Sequence, residues 1–166
     1  MNWDALGASA ELIAALGVIA SLLYLARQIR QSNATDRLSA TLALQEAYNQ
    51  TVQFCFGHPE SARVLRAGLD GLQELAEHER FQFSAQLYTL YGHVEIVFHQ
   101  YKRGLVDFDL WNRARQLIIF YRSFPGVQQW WAGTDLLVPP DLPKFAARNA
   151  FSRQFQDLVD SIDAAA

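Results

Sequence analysis

The sequence predicts an all-α protein, an N-terminal transmembrane helix continuing into a compact helical bundle. Three observations predict it. Apolar residues recur at 4-3-4-3-4 along Phe83, Leu87, Leu90, Val94, Val97 and Tyr101, the spacing of one helix face. Gly57, Pro59, Gly71, Gly104, Pro125 and Gly133 punctuate the chain where such stretches stop and start. No alternation of apolar and polar residues persists long enough for a strand, and there is no internal repeat or low-complexity segment.

The 166 residues suit one domain with an anchor, residues 1–31 as the span and 32–166 as a cytoplasmic helical domain. Hydrophobic residues make up 51% and charged residues 19%, with four Trp, six Tyr and eleven Phe, enough burial to offset the entropy of folding. The net charge is −3 and no basic run exceeds two residues, so no nucleic-acid partner is expected. Cys55 is the only cysteine, which excludes an intrachain disulfide, and no Cys/His spacing for zinc exists.

The first element is the stretch Trp3–Arg30. Between Ala5 and Ala26 its only charge is Glu11, and a span needs about 20 mostly apolar residues. Trp3 and Tyr24 stand near the two ends, and Arg27 and Arg30 follow at once, which orients the C-terminal side toward the cytoplasm of a bacterial inner membrane. A cleaved signal peptide fits poorly, since Asp4 and Glu11 intrude and no small-residue cleavage site follows. Gly7, Ala10, Ala14, Gly17 and Ser21 share one helix face, the small-residue stripe on which membrane helices approach closely. With Glu11 beside it, this stripe is the expected homo-oligomer interface. Leu12, Leu16, Ile19 and Leu23 form another stripe for lipid or a neighbour. The competing readings are a soluble homo-oligomer with the N-terminal helices buried in a central bundle, and a channel-like oligomer with Glu11 lining it.

No Gly or Pro occurs between Val18 and Phe56, so the helix runs on or bends near Ser32-Asn33, with Leu38, Leu42, Tyr48, Val52 and Cys55 as its apolar positions. A short helix is expected over Pro59–Ala67, with Pro59 in its first turn, and a turn at Asp70-Gly71. The next helix covers Ala76–Arg103, with Gln82, Gln86, Thr89, His93 and Gln100 on the face opposite its apolar stripe. Asp107 or Asp109 can cap the following helix, which runs to about Ser123 with Leu110, Ala114, Leu117, Tyr121 and Phe124 inward. Pro125-Gly126 opens a short helical turn through Trp130-Trp131. A loop with three prolines follows, then a last helix from Pro143, capped by Asp141, with Phe145, Phe151, Phe155, Leu158 and Ile162 on its apolar side.

The segments SLLYLARQIRQ, HPESARVLRAGL, HVEIVFHQYKRGLVDFDLW and FPGVQQWW, in this order, resemble a widespread group of small bacterial proteins described as hypothetical or of unknown function. The resemblance covers essentially the whole chain and implies a bacterial, membrane-anchored helical protein, with no catalytic residues attached. Ala76 departs from it, standing where a Ser or Thr cap is usual.

The residue types offer little chemistry, so an enzyme is not favoured. Glu95 and His99, at i and i+4, can meet one metal ion and are the best metal candidates, but di-iron bundles use Glu-x-x-His twice with two further Glu. A surface ladder of Glu95, His99 and Arg103 explains them as well, and no cofactor is expected. Cys55 and His58 are the only nucleophile–base pair, with Cys55 on an apolar face where it reads as core. No P-loop, nucleophile elbow or dinucleotide fingerprint is present. Adjacent Trp130 and Trp131 are not expected to point into one core together, which makes one of them a candidate contact for the membrane surface or a partner; partial burial of both is the plainer reading.

Overall fold

The computed structural model describes residues 3–133 and 146–163, with side chains from residue 16 to residue 162 within those ranges. Six α-helices account for most of them: α1 (Trp3–Phe56), α2 (Pro59–Asp70), α3 (Glu77–Lys102), α4 (Phe108–Arg122), α5 (Pro125–Ala132) and α6 (Arg153–Asp163). Short 3-10 turns lie at Leu72–Glu74 and Ala147–Ala150. Among the described residues there is no strand.

The chain divides into two units, Met1–Ser39 and Ala40–Ala166. In the first, α1 runs unbroken through Ser32-Asn33, and every described side chain from Leu16 to Ser39 is exposed. Hydroxyls in α1 turn back on their own helix: Ser21 Oγ donates to Gly17 O at 2.9 Å and Thr35 Oγ1 to Gln31 O at 3.1 Å. Among the described residues no helix is long and apolar enough to cross a membrane. Of the expected span Ala5–Ala26, the side chains of residues 5–15 lie outside the described ones.

In the second unit the last part of α1 joins α2–α6 around α3. The apolar register of α1 differs from the expected one. Leu44, Thr51 and Cys55 are buried, Tyr48 lies half-buried between them, and Leu42 is exposed. The 44-48-51-55 spacing is the true seam, and Thr51 is tolerated there because its hydroxyl donates to Ala47 O. Pro59 sits in the first turn of α2, where its missing N–H costs nothing. The last helix is a second correction. It begins at Arg153 rather than Pro143, since residues 147–150 form a 3-10 turn. Asp141, Pro143 and Phe145 lie outside the described residues.

The start of α3 shows how a missing cap is offset. Ala76 offers no side-chain acceptor, but Glu79 Oε2 accepts from Ala76 N at 2.8 Å, the reciprocal half of a capping box. Glu79 also binds Arg63 of α2, which pairs in turn with Glu60. On α4 the cap is Asp107, whose Oδ1 accepts from Leu110 N at 2.8 Å.

Helix α3 is buried on more than its apolar stripe. Phe83, Leu87, Val94 and Val97 are inside as expected, and so are Gln86 (1% exposed) and His93 (8% exposed) from the face expected to be polar. Gln86 is accommodated by its amide: Nε2 donates to Cys55 O (3.3 Å) and Ser61 O (2.9 Å), tying the end of α1 and the start of α2 to α3. On α4, Trp111 and Ile118 join Ala114 and Tyr121 in the core, while Leu110 and Leu117 are half-buried.

Helices α2 and α5 touch backbone to backbone at Gly68 and Gly126, where a side chain on Gly126 would strike the Gly68 carbonyl. Gly92 in α3 has open space around its Cα instead. Gly126→Ala is expected to destabilise the chain by about 3 kcal/mol through overpacking. Gly92→Ala should stabilise it by about 0.5–1 kcal/mol through helix propensity. Urea denaturation of both variants checks the pair, and a neutral Gly126→Ala would reject the close approach.

Candidate functional site

Between the C-terminal part of α1, α3 and α4 lies a cavity of about 210 Å³. Its apolar wall is Leu44, Val97, Leu110, Ala114 and Leu117. Its polar lining is Gln45, Tyr48, His93 and Arg113, of which Gln45 and Arg113 are exposed and mark the open side. The helical spacing explains the assembly: Leu110, Ala114 and Leu117 follow one face of α4, Leu44 and Tyr48 lie one turn apart on α1, and His93 and Val97 one turn apart on α3.

His93 is the buried polar group of this cavity. Its Nδ1 is enclosed and has no hydrogen-bond partner among the described residues. The ring of Tyr48 lies against it, centroids 5.6 Å apart. Burial holds the His93 pKa below the ordinary 6.5, because the low-dielectric surroundings disfavour the imidazolium. Arg113 makes no hydrogen bond or ion pair with any described residue, although Asp109 stands one turn before it on α4.

The Glu95–His99 pair serves another end. Glu95 Oε1 accepts from Ser152 N at 2.7 Å, and His99 Nε2 lies 3.1 Å from Ser152 Oγ. Ser152 immediately precedes α6, so both residues of α3 fasten the start of the last helix. The same His99 nitrogen faces both Ser152 Oγ and Glu95 Oε1, at 3.8 Å from the latter. A relay of serine, histidine and acid needs the two opposite ring nitrogens, so this is not one. Among the described residues no group of three or more His, Cys, Asp or Glu could hold a metal ion.

Cys55 is buried, and burial pushes its thiol pKa up to about 11, so it is a protonated core residue rather than a nucleophile. Trp130 and Trp131 are both inside, at 0% and 2% exposed, and neither presents a ring at the surface. Burial goes further than the plainer reading of partial burial for both, and neither indole is the outward-facing candidate, because α5 is covered on two adjacent sides. Trp130 Nε1 donates to Ser84 Oγ on α3 (3.0 Å), and Trp131 Nε1 donates to Asp160 Oδ1 on α6 (2.9 Å). Of the expected interface residues, Gly17 and Ser21 are exposed on α1, and the side chains of Gly7, Ala10, Glu11 and Ala14 lie outside the described ones.

Sequence reasoning missed the cavity because its polar members come from three helices. Its one local trace was His93, a histidine one residue before a core valine on a helix buried on several sides. No protein family, curated protein or solved structure matches this chain.

Two outcomes follow from these contacts. The unfolded chain takes a proton at His93 before the folded one does, so stability should fall as pH drops below about 6.5. His93→Gln should flatten that decline in urea midpoints measured from about pH 7 down to about pH 5. Glu95→Ala should cost about 1–2 kcal/mol by removing the acceptor before α6, with Glu95→Gln recovering much of it in the same assay.

Proposed function

We propose that this is a membrane-anchored, self-associating helical protein with a structural or interaction role rather than a catalytic one. The observation that carries this reading is the surface of α1 from Leu16 to Ala26. Every side chain there is exposed and none is charged. Leu16, Val18, Ile19, Leu22, Leu23 and Leu25 are 50–67% exposed. A helix apolar around its whole circumference belongs in a core or a bilayer. Covering each such side chain is worth about 1.5–3 kcal/mol, so leaving all of them in water is strongly unfavourable. The one hydroxyl in the stretch besides Tyr24, that of Ser21, is already satisfied by its own helix. Arg27 and Arg30 end the stretch as cytoplasmic anchors do.

Self-association rests on the small residues of the same helix. Outside its own helix backbone and immediate neighbours, an added Cβ on Gly17 meets no described atom within 4 Å, so no described contact within one molecule requires a glycine there. A close neighbour in a second copy would. The alternative, a soluble oligomer whose N-terminal helices bury one another, is favoured by the finding that no described helix is long and apolar enough to cross a membrane.

Detergent-free fractionation separates the two. Full-length protein is expected in the membrane pellet and a chain starting at Ser32 in the supernatant; full-length protein in the supernatant would sink the anchor and leave the soluble oligomer. Gly17→Leu is expected to reduce oligomer size in detergent, by light scattering or analytical ultracentrifugation, without changing the melting temperature of the helical domain. Unchanged size rejects the Gly17 seam.

A further inference from the structure

We propose that the cavity between α1, α3 and α4 binds a small apolar carboxylic acid as its anion, the carboxylate held by Arg113 and His93 and the hydrocarbon by Leu44, Val97, Leu110, Ala114 and Leu117. Size, polarity and charge each narrow the class. A dry cavity of about 150 Å³ in another protein accepts benzene, so about 210 Å³ suits a single ring or a short branched chain bearing a few further atoms. The wall is mainly aliphatic, which fits a hydrocarbon body and not a sugar or a phosphate ester.

The polar groups converge from three helices. His93 is more than nine-tenths buried and lines the cavity; its Nδ1 is closed off, which leaves Nε2, with no hydrogen bond to a described residue, as the ring nitrogen that meets a bound anion. As a neutral imidazole it offers one N–H donor, and the ring of Tyr48 packed against it limits its orientation. Arg113 is the one charged residue of the lining and has no ion pair with a described residue. Its planar fork of donors matches a carboxylate in two parallel hydrogen bonds. A single guanidinium balances a monoanion, whereas a doubly charged phosphate would be left under-neutralised in an apolar recess. Tyr48 adds a phenolic O–H from α1, which makes no hydrogen bond to a described residue.

The test is titration of the full-length protein with benzoate, isovalerate and hexanoate, followed by calorimetry and by the imidazole resonances of His93. Benzamide serves as the uncharged comparator. At least one of the three acids is expected to bind saturably, with a dissociation constant of about 1 mM or lower. The His93 resonances should move with the same saturation, and benzamide should bind at least about tenfold more weakly than benzoate if benzoate is the binder. Arg113→Gln, at an exposed position where the fold is not at stake, should weaken the acid by about tenfold or more with an unchanged melting temperature. Ala114→Phe should abolish binding by filling the cavity. Absence of saturable binding by all three acids overturns the proposal, as does binding that Arg113→Gln leaves unchanged.

Discussion

Everything in the C-terminal unit depends on the burial of α3 on several sides at once. A helix that others surround must satisfy each polar group it carries inward, because an unpaired buried group costs about as much as a lost hydrogen bond. Gln86 meets this by donating to the carbonyls of Cys55 and Ser61, which fixes where α1 ends and α2 begins. Ser84 meets it by receiving the indole N–H of Trp130. Glu95 meets it by accepting from Ser152 ahead of α6. The polar positions of α3 are thus the points at which four other helices are registered on it. Among the described residues the enclosed amide oxygens of Gln86 and Gln100 and the Nδ1 of His93 stay without a partner, and of these three residues only His93 lines the cavity.

The end of the chain is held by aromatic packing more than by helix length. Tyr88 and Tyr91 of α3 meet Trp130 edge to face, with centroids 5.2 and 5.1 Å apart. Phe151 lies against Trp131 at 5.5 Å and Phe155 is fully buried beside it. Such pairs add about 0.5–1.5 kcal/mol each beyond the area they bury. Asp160 then accepts from Trp131 and from Arg148 (2.5 Å), joining α6 to both α5 and the 3-10 turn. The eleven-residue α6 is too short to be stable alone, so these contacts are what make it a helix.

The N-terminal unit is governed by the opposite condition. There the helix is made by local sequence, with no Pro anywhere and hydroxyls folded back on their own carbonyls. Its described apolar side chains are exposed rather than packed. The proposed anchor and self-association are ways of covering that surface, and they lie apart from the ligand chemistry proposed for the cavity. Loss of one would leave the other standing.

The sequence by itself determined the helical class, the stop of α1 at Gly57, the place of Pro59 in the first turn of α2, a cap for α4 at Asp107 or Asp109, the apolar stripe of α3 and the end of α5 at Gly133. These are decided by local rules: glycine's left-handed backbone at Gly133 (φ 76°), proline's missing donor, and a period of 3.6 residues. Tertiary structure alone decided which polar residues go inside. Gln86 and His93 share the face of α3 that looks solvated in sequence, and only the arrival of α1 beside it, with α2 at Gln86 and α4 near His93, buries them. It likewise decided that both Trp130 and Trp131 are inside, since a helix wall one residue wide becomes two when neighbours stand on adjacent sides. The start of α6 at Arg153 was also beyond local reading, because Pro143 is as good a first-turn residue as any. The cavity could not be read at all: a void is a property of how three helices fail to meet, and no stretch of sequence carries it.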